Sequence, residues 1–92
     1  MKTKTKNVFK QLGFSDTESA NLEARSRLMI LLEQEIKRLG LTQTQAANLL
    51  GVKPPRVSEI MNGRIEKFSA DLLITYLSRL GKTIEFKLKK AA

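Results

Sequence analysis

The chain has 92 residues, no cysteine, no histidine and a formal net charge of +8. That length makes one domain with a modest core. The missing residue types exclude disulfides, thiol chemistry, ordinary zinc sites and histidine acid–base catalysis.

The charge is unevenly spread. Met1 to Ser19 carries four lysines against Asp16 and Glu18, and Gly81 to Ala92 carries four lysines against Glu85. Both ends are therefore disproportionately basic, which points to a polyanionic partner or to tails that keep a small domain in solution. The longest apolar run, Leu28 to Leu32, is far too short to cross a membrane, and no apolar run follows the lysine-rich start as a secretion signal requires. A cytoplasmic location is expected.

In chain order, Met1 to Lys6 alternates lysine and threonine and reads as a frayed tail. NVFKQLGF, Asn7 to Phe14, reads as a short arm packed on the body. Ser15, with Glu18 three residues on, has the spacing of a capping box. Helical periodicity continues from there through Leu22, Leu28, Leu31, Leu32, Ile36 and Leu39 to Gly40, with a break expected near Ala24 to Ser26.

Thr42 caps the next helix, Gln43 to Leu50, and Gly51 closes it. A helix over residues 54–61 opens on Pro54-Pro55, which suits a first turn whose N–H groups lack partners anyway, and ends at Asn62-Gly63. Ser69 caps a further helix over residues 70–80. In Thr83 to Leu88 the apolar residues Ile84, Phe86 and Leu88 alternate with polar ones, a strand signal. A lone strand needs a partner. That partner is either Asn7 to Leu12 or the same strand of a second copy, unless the segment lies on the helices as a tail. Pairing across a two-fold axis is favoured.

The stretch LTQTQAANLLGVKPPRVSEIMNGR, Leu41 to Arg64, carries the functional pattern. Two short helices crossing steeply need a small residue at their contact, a residue able to take positive φ in the turn, and two buried residues three apart on the second helix. Ala47, Gly51, and Val57 with Ile60 meet these needs in turn. This stretch is similar to the helix-turn-helix of the Xre/Cro-like repressors, in which the second helix enters the DNA major groove N-terminus first. Its outward face is then Pro55, Arg56 and Glu59, flanked by Lys53 and Ser58.

Arg56 is the expected guanine reader, because its fork can bond O6 and N7 together. Glu59 either accepts from a cytosine amino group or orients Arg56. Lys53 suits a phosphate or a guanine, and Pro55 a thymine methyl. Thr42 and Gln43 open a helix whose exposed N–H groups favour an anion, and the resemblance implies that Asn62, Arg64 and Lys67, after the second helix, touch the DNA backbone; all five are expected phosphate contacts.

This stretch resembles that repressor family down to Asn62-Gly63. With NVFKQLGF before it and FSADLLITYLSRLGKTIEF after it, the chain resembles the HigA-like antitoxin group within that family. The resemblance implies a mainly α, lambda-repressor-like bundle of about five helices with one C-terminal strand. Its parts are an N-terminal tail and arm (1–14), the DNA-binding domain (15–81) and the strand with a basic tail (82–92). It further implies a repressor that binds an inverted-repeat operator on double-stranded DNA as a homodimer. Leu72, Leu73, Tyr76, Ile84, Phe86 and Leu88 are the expected dimer interface.

An antitoxin of this group would bind a RelE/HigB-like toxin, with Asn7 to Phe14 as a docking candidate. The alternatives are a phage-like repressor without a toxin and a protein-interaction module that has lost DNA binding. Base readout here departs from better-known members, which commonly carry glutamines where this chain has Pro54 and Pro55. No nucleophile–base pair stands out, so no enzyme is expected, and no metal or cofactor is implied.

Overall fold

The computed structural model describes Phe9 and residues 11–90. Among these residues four α-helices have defined bounds: α1 (Asp16–Arg38), α2 (Gln43–Leu50), α3 (Pro54–Met61) and α4 (Ala70–Arg79). A single 3-10 turn, Ile65–Lys67, links α3 to α4. Helix α1 packs chiefly on α4, and α2 on α3.

Three of these four helix starts follow from a side-chain cap. Ser15 and Glu18 form a complete capping box, the Ser15 hydroxyl accepting from the Glu18 N–H and the Glu18 carboxylate from the Ser15 N–H. Thr42 and Gln45 repeat it at α2. Ser69 caps α4 by accepting from the Leu72 N–H. Phe68 and Leu73, both buried, stand either side of that cap at the spacing of a hydrophobic staple.

The expected break in α1 does not occur. Ser19, Leu22, Arg25 with Ser26, Met29, Leu32 and Ile36 recur at three and four residues, so one stripe faces the core along the whole helix. No residue at Ala24 to Ser26 forces an end, and among the described residues four α-helices have defined bounds where about five were expected. The core draws Leu28, Met29, Leu32 and Ile36 from α1, Ala46, Ala47 and Leu50 from α2, Val57 and Ile60 from α3, and Leu73, Tyr76 and Leu77 from α4. Phe68 lies among them, edge-on to Tyr76 at 6.3 Å between ring centroids.

The expected strand at Thr83 to Leu88 is likewise absent from the single chain, where no described residue is in a strand. Only Ile84 of its apolar set packs on the core, while Phe86 and Leu88 are 78% and 99% exposed. A strand exists only through its ladder, and no other described segment lies alongside to supply one. Of the N-terminal arm, Phe9 and Phe14 pack edge-to-face, and the Leu12 and Phe14 N–H groups both donate to the Phe9 carbonyl. The frayed tail expected at Met1 to Lys6, and the start of the arm, lie outside the described residues.

Candidate DNA-binding interface

Gly51 makes the turn between α2 and α3. Its φ of +74° lies in the left-handed region, and its N–H and that of Val52 both donate to the Ala47 carbonyl. Arg79, at the end of α4, donates through Nη1 to the Leu50 carbonyl one residue earlier. A Cβ on Gly51 would come within 3.0 Å of that same nitrogen. The turn is thus fixed by its own conformation and by a cation reaching in from another helix. Ala47, Val57 and Ile60 are buried as the motif requires.

Helix α3 then starts with Pro54 and Pro55 in its first two positions, capped by Lys53 without a side-chain bond. The prolines have no N–H to offer, and the Arg56 N–H donates to the Lys53 carbonyl. Unlike most helix starts, this one presents few backbone donors to an anion. Lys53 and Pro55 are exposed, and Ser58 is half-buried.

Arg56 is held on three sides. Its Nη1 donates to Glu59 Oε1 at 3.0 Å, its Nη2 to the Lys67 carbonyl at 3.1 Å, and its guanidinium carbon stands 4.0 Å from the Phe68 ring centroid. About a third of the side chain, 33%, stays exposed. The other Glu59 oxygen, Oε2, accepts from Lys67 Nζ at 2.9 Å. Hydrogen bonds from Lys67 first and Arg56 second hold the Glu59 carboxyl below the usual carboxylate range. Both of its oxygens are thus engaged, Oε1 by Arg56 and Oε2 by Lys67.

The expected phosphate contacts are scattered around this face. Thr42 spends its hydroxyl and N–H on the α2 capping box, and Gln43 beside it is exposed. Asn62 is exposed at the end of α3. Arg64 pairs with Glu66 at 2.8 Å, both more than half exposed, a pairing of small energetic worth. The Lys67 side chain is tied to the outward face of α3 through Glu59, and the Asn62 and Arg64 N–H groups donate to the Ser58 and Glu59 carbonyls.

The expected dimer interface divides in two. Leu73 and Tyr76 are buried in their own core and Leu72 is half-buried, because the stripe of α4 faces α1. Leu73 and Tyr76 are therefore core residues, while Phe86 and Leu88 remain exposed. Three contacts had no local sequence signal: Phe68 beneath Arg56, Arg79 on the Leu50 carbonyl, and Arg25, whose Nη1 donates to the Ile65 carbonyl at 3.2 Å. Each joins residues far apart in sequence, beyond the reach of helical periodicity.

Comparison with known proteins agrees with this geometry. A family model described as a helix-turn-helix domain matches residues 8–89. The chain is 32% identical over 78 residues to an uncharacterised HTH-type transcriptional regulator of Haemophilus influenzae, a match spanning 85% of this chain and 79% of that protein. It is also similar to a solved structure described as an XRE-family transcriptional regulator. There the TM-score is 0.74 at 32% identity, over 80% of this chain and 83% of the other.

Proposed function

The chain belongs to the helix-turn-helix family of XRE-like, DNA-binding transcriptional regulators, and we propose that it is a sequence-specific repressor of its own promoter, acting in the cytoplasm. The observation that carries this reading is the pre-set Arg56, stacked on Phe68 and steered by Glu59 on the outward side of α3. A guanidinium already ordered loses less entropy on meeting guanine O6 and N7. Its remaining N–H donors, with Lys53, Pro55 and Ser58, form the reading set. Thr42, Gln43, Asn62 and Arg64 would meet phosphates, while the Lys67 ammonium is held by Glu59 and stands outside that set.

The working unit in this reading is a homodimer on an inverted-repeat operator, with half-sites about one helical turn, ~34 Å, apart. The exposed Phe86 and Leu88, alternating with polar neighbours, support pairing of the C-terminal segments across a two-fold axis. The reading extends to an antitoxin that also binds a RelE/HigB-like toxin. Its supports are the resemblance of the flanking sequence to the HigA-like group and the exposed apolar Leu12 and Phe14 of the arm.

Fluorescence anisotropy against the DNA upstream of the chain's own gene, with scrambled DNA as control, tests the repressor. Tight, salt-dependent binding that discriminates the two is expected. Equal weak binding to both would sink the reading and favour a protein-interaction module. Coexpression with a toxic neighbouring gene tests the antitoxin extension. Copurification and neutralisation are expected, and failure of both leaves a repressor without a toxin.

A further inference from the structure

The acidic residue on the reading face stands out physically. A carboxylate facing a polyanion is repelled by it, yet Glu59 lies on α3 between two cations that DNA would otherwise attract. Its oxygens take one each: Oε1 at 3.0 Å from Arg56 Nη1 and Oε2 at 2.9 Å from Lys67 Nζ. The Glu59 side chain is only 28% exposed, and Arg56 also stacks on Phe68, so water screens this group less than an isolated surface pair.

The group cannot drift apart easily. Arg56 Nη2 binds the Lys67 carbonyl, so the Lys67 backbone is tied to α3 while Glu59 holds its tip. From the other side, Arg25 Nη1 donates to the Ile65 carbonyl and fixes the 3-10 turn to α1. Lys67 is kept within reach of Glu59 by its backbone as well as by charge.

We propose that Glu59 is a specificity-determining residue: anchored by Arg56, it clamps Lys67 so that this cation is not surrendered to phosphates on DNA of the wrong sequence. This rests on the DNA-binding reading given above. On random DNA, only phosphates are available to draw Lys67 out, and they must outcompete a carboxylate already in place. On the operator, base edges meet the remaining Arg56 donors with the clamp intact. Affinity for random DNA is thereby lowered while base readout is kept, and the difference between the two is specificity.

The test is anisotropy at about 50 and about 200 mM salt. The probes are a random-sequence duplex and a duplex selected from a random pool by the native protein. Glu59→Gln should bind the random duplex about five- to tenfold more tightly at the lower salt, with a salt slope steeper by about one unit, as one added phosphate contact requires. Its preference for the selected duplex should shrink by the same factor. The double variant Glu59→Gln/Lys67→Gln should return to the native slope. An unchanged slope in Glu59→Gln, or a gain that survives in the double variant, overturns the proposal.

Lys67→Gln alone gives an independent answer should Glu59→Gln fail to fold. A native-like salt slope supports the clamp, and a slope lower by about one unit overturns it. Native protein that binds the random duplex while the variants behave as excluded here defeats the clamp alone. No binding of any duplex by native protein or Glu59→Gln defeats the DNA-binding reading with it.

Discussion

Arg56 combines a charge with a planar fork, and substitutions can separate the two. Arg56→Ala removes the stack on Phe68, the bond to the Lys67 carbonyl and the pairing with Glu59 together. Operator affinity should fall by about 1–3 kcal/mol, with specificity relaxed at one base pair per half-site. Fold stability, followed by urea unfolding, should fall by about 1 kcal/mol, the scale of one partly desolvated cation–π contact and a hydrogen bond. Arg56→Lys restores the charge without the planar fork, so it should recover little of the operator affinity. Full recovery would mean that Arg56 acts as a point charge on a phosphate. Glycines of the same sign of φ divide in a similar way. Gly51→Ala forces a Cβ into the left-handed region at a cost of roughly 1–2 kcal/mol and also against Arg79 Nη1. Gly63, with φ +68° and nothing within 4 Å of a built Cβ, meets only the first cost. Urea midpoints should therefore rank native above Gly63→Ala above Gly51→Ala, and equal losses would show that Arg79 gives way freely.

Among the helices, α1 ends in a charge cluster that makes stability depend on pH. Glu35 is nearly buried, and its carboxyl is held below its ordinary value of 4.5 by the hydrogen bonds from Arg38, with the Arg38 and Lys82 charges adding to the effect. Glu18 in the capping box, Glu59 and Glu66 are lowered too. A carboxyl whose folded pKa is depressed contributes stability above its unfolded pKa and loses it as pH falls through the folded one. Thermal midpoints should accordingly be flat above about pH 5.5 and decline progressively below about 4.5. Glu35→Gln should shallow that decline, and an unaltered acid limb would assign it to the other carboxyls. This cluster marks the limit of what the sequence discloses. Helices α2 and α3 were legible because their determinants are local: Thr42 with Gln45, Gly51 after Leu50, Pro54-Pro55 ahead of Val57 and Ile60. The unbroken α1 was obscured by polar residues from Ala24 to Ser26, although its stripe runs through them. The Arg56 clamp was only half visible, since Glu59 is one turn away but Lys67 and Phe68 arrive through a 3-10 turn that no periodicity announces.

For the whole molecule the unfinished part is the C-terminal segment. Its period of two predicts a strand that the single chain does not form, because a pattern of side chains cannot say which backbone will complete the ladder. Ile84 anchors the segment on the core, while Phe86 and Leu88 project 78% and 99% of their area into solvent. Two such exposed side chains on one short stretch gain by burial against a second copy, at roughly 25 cal/mol for each Å² of apolar surface removed from water. Antiparallel pairing around a two-fold axis would bury both and satisfy the backbone groups of both segments in one step. It would also set the two α3 helices at a fixed separation, which an inverted-repeat operator requires. Light scattering at micromolar concentration should therefore give a dimer for the native chain and a monomer for Phe86→Lys/Leu88→Lys. Because neither side chain supports the single-chain core, the urea unfolding of the variant measured under monomeric conditions should match that of native protein. DNA binding separates the remaining outcomes. The monomeric variant should keep its affinity for a single half-site and lose the gain from joining two. A variant that stays dimeric would move the interface elsewhere, to the exposed Ile30 and Leu31 of α1, and leave Phe86 and Leu88 without a role in assembly.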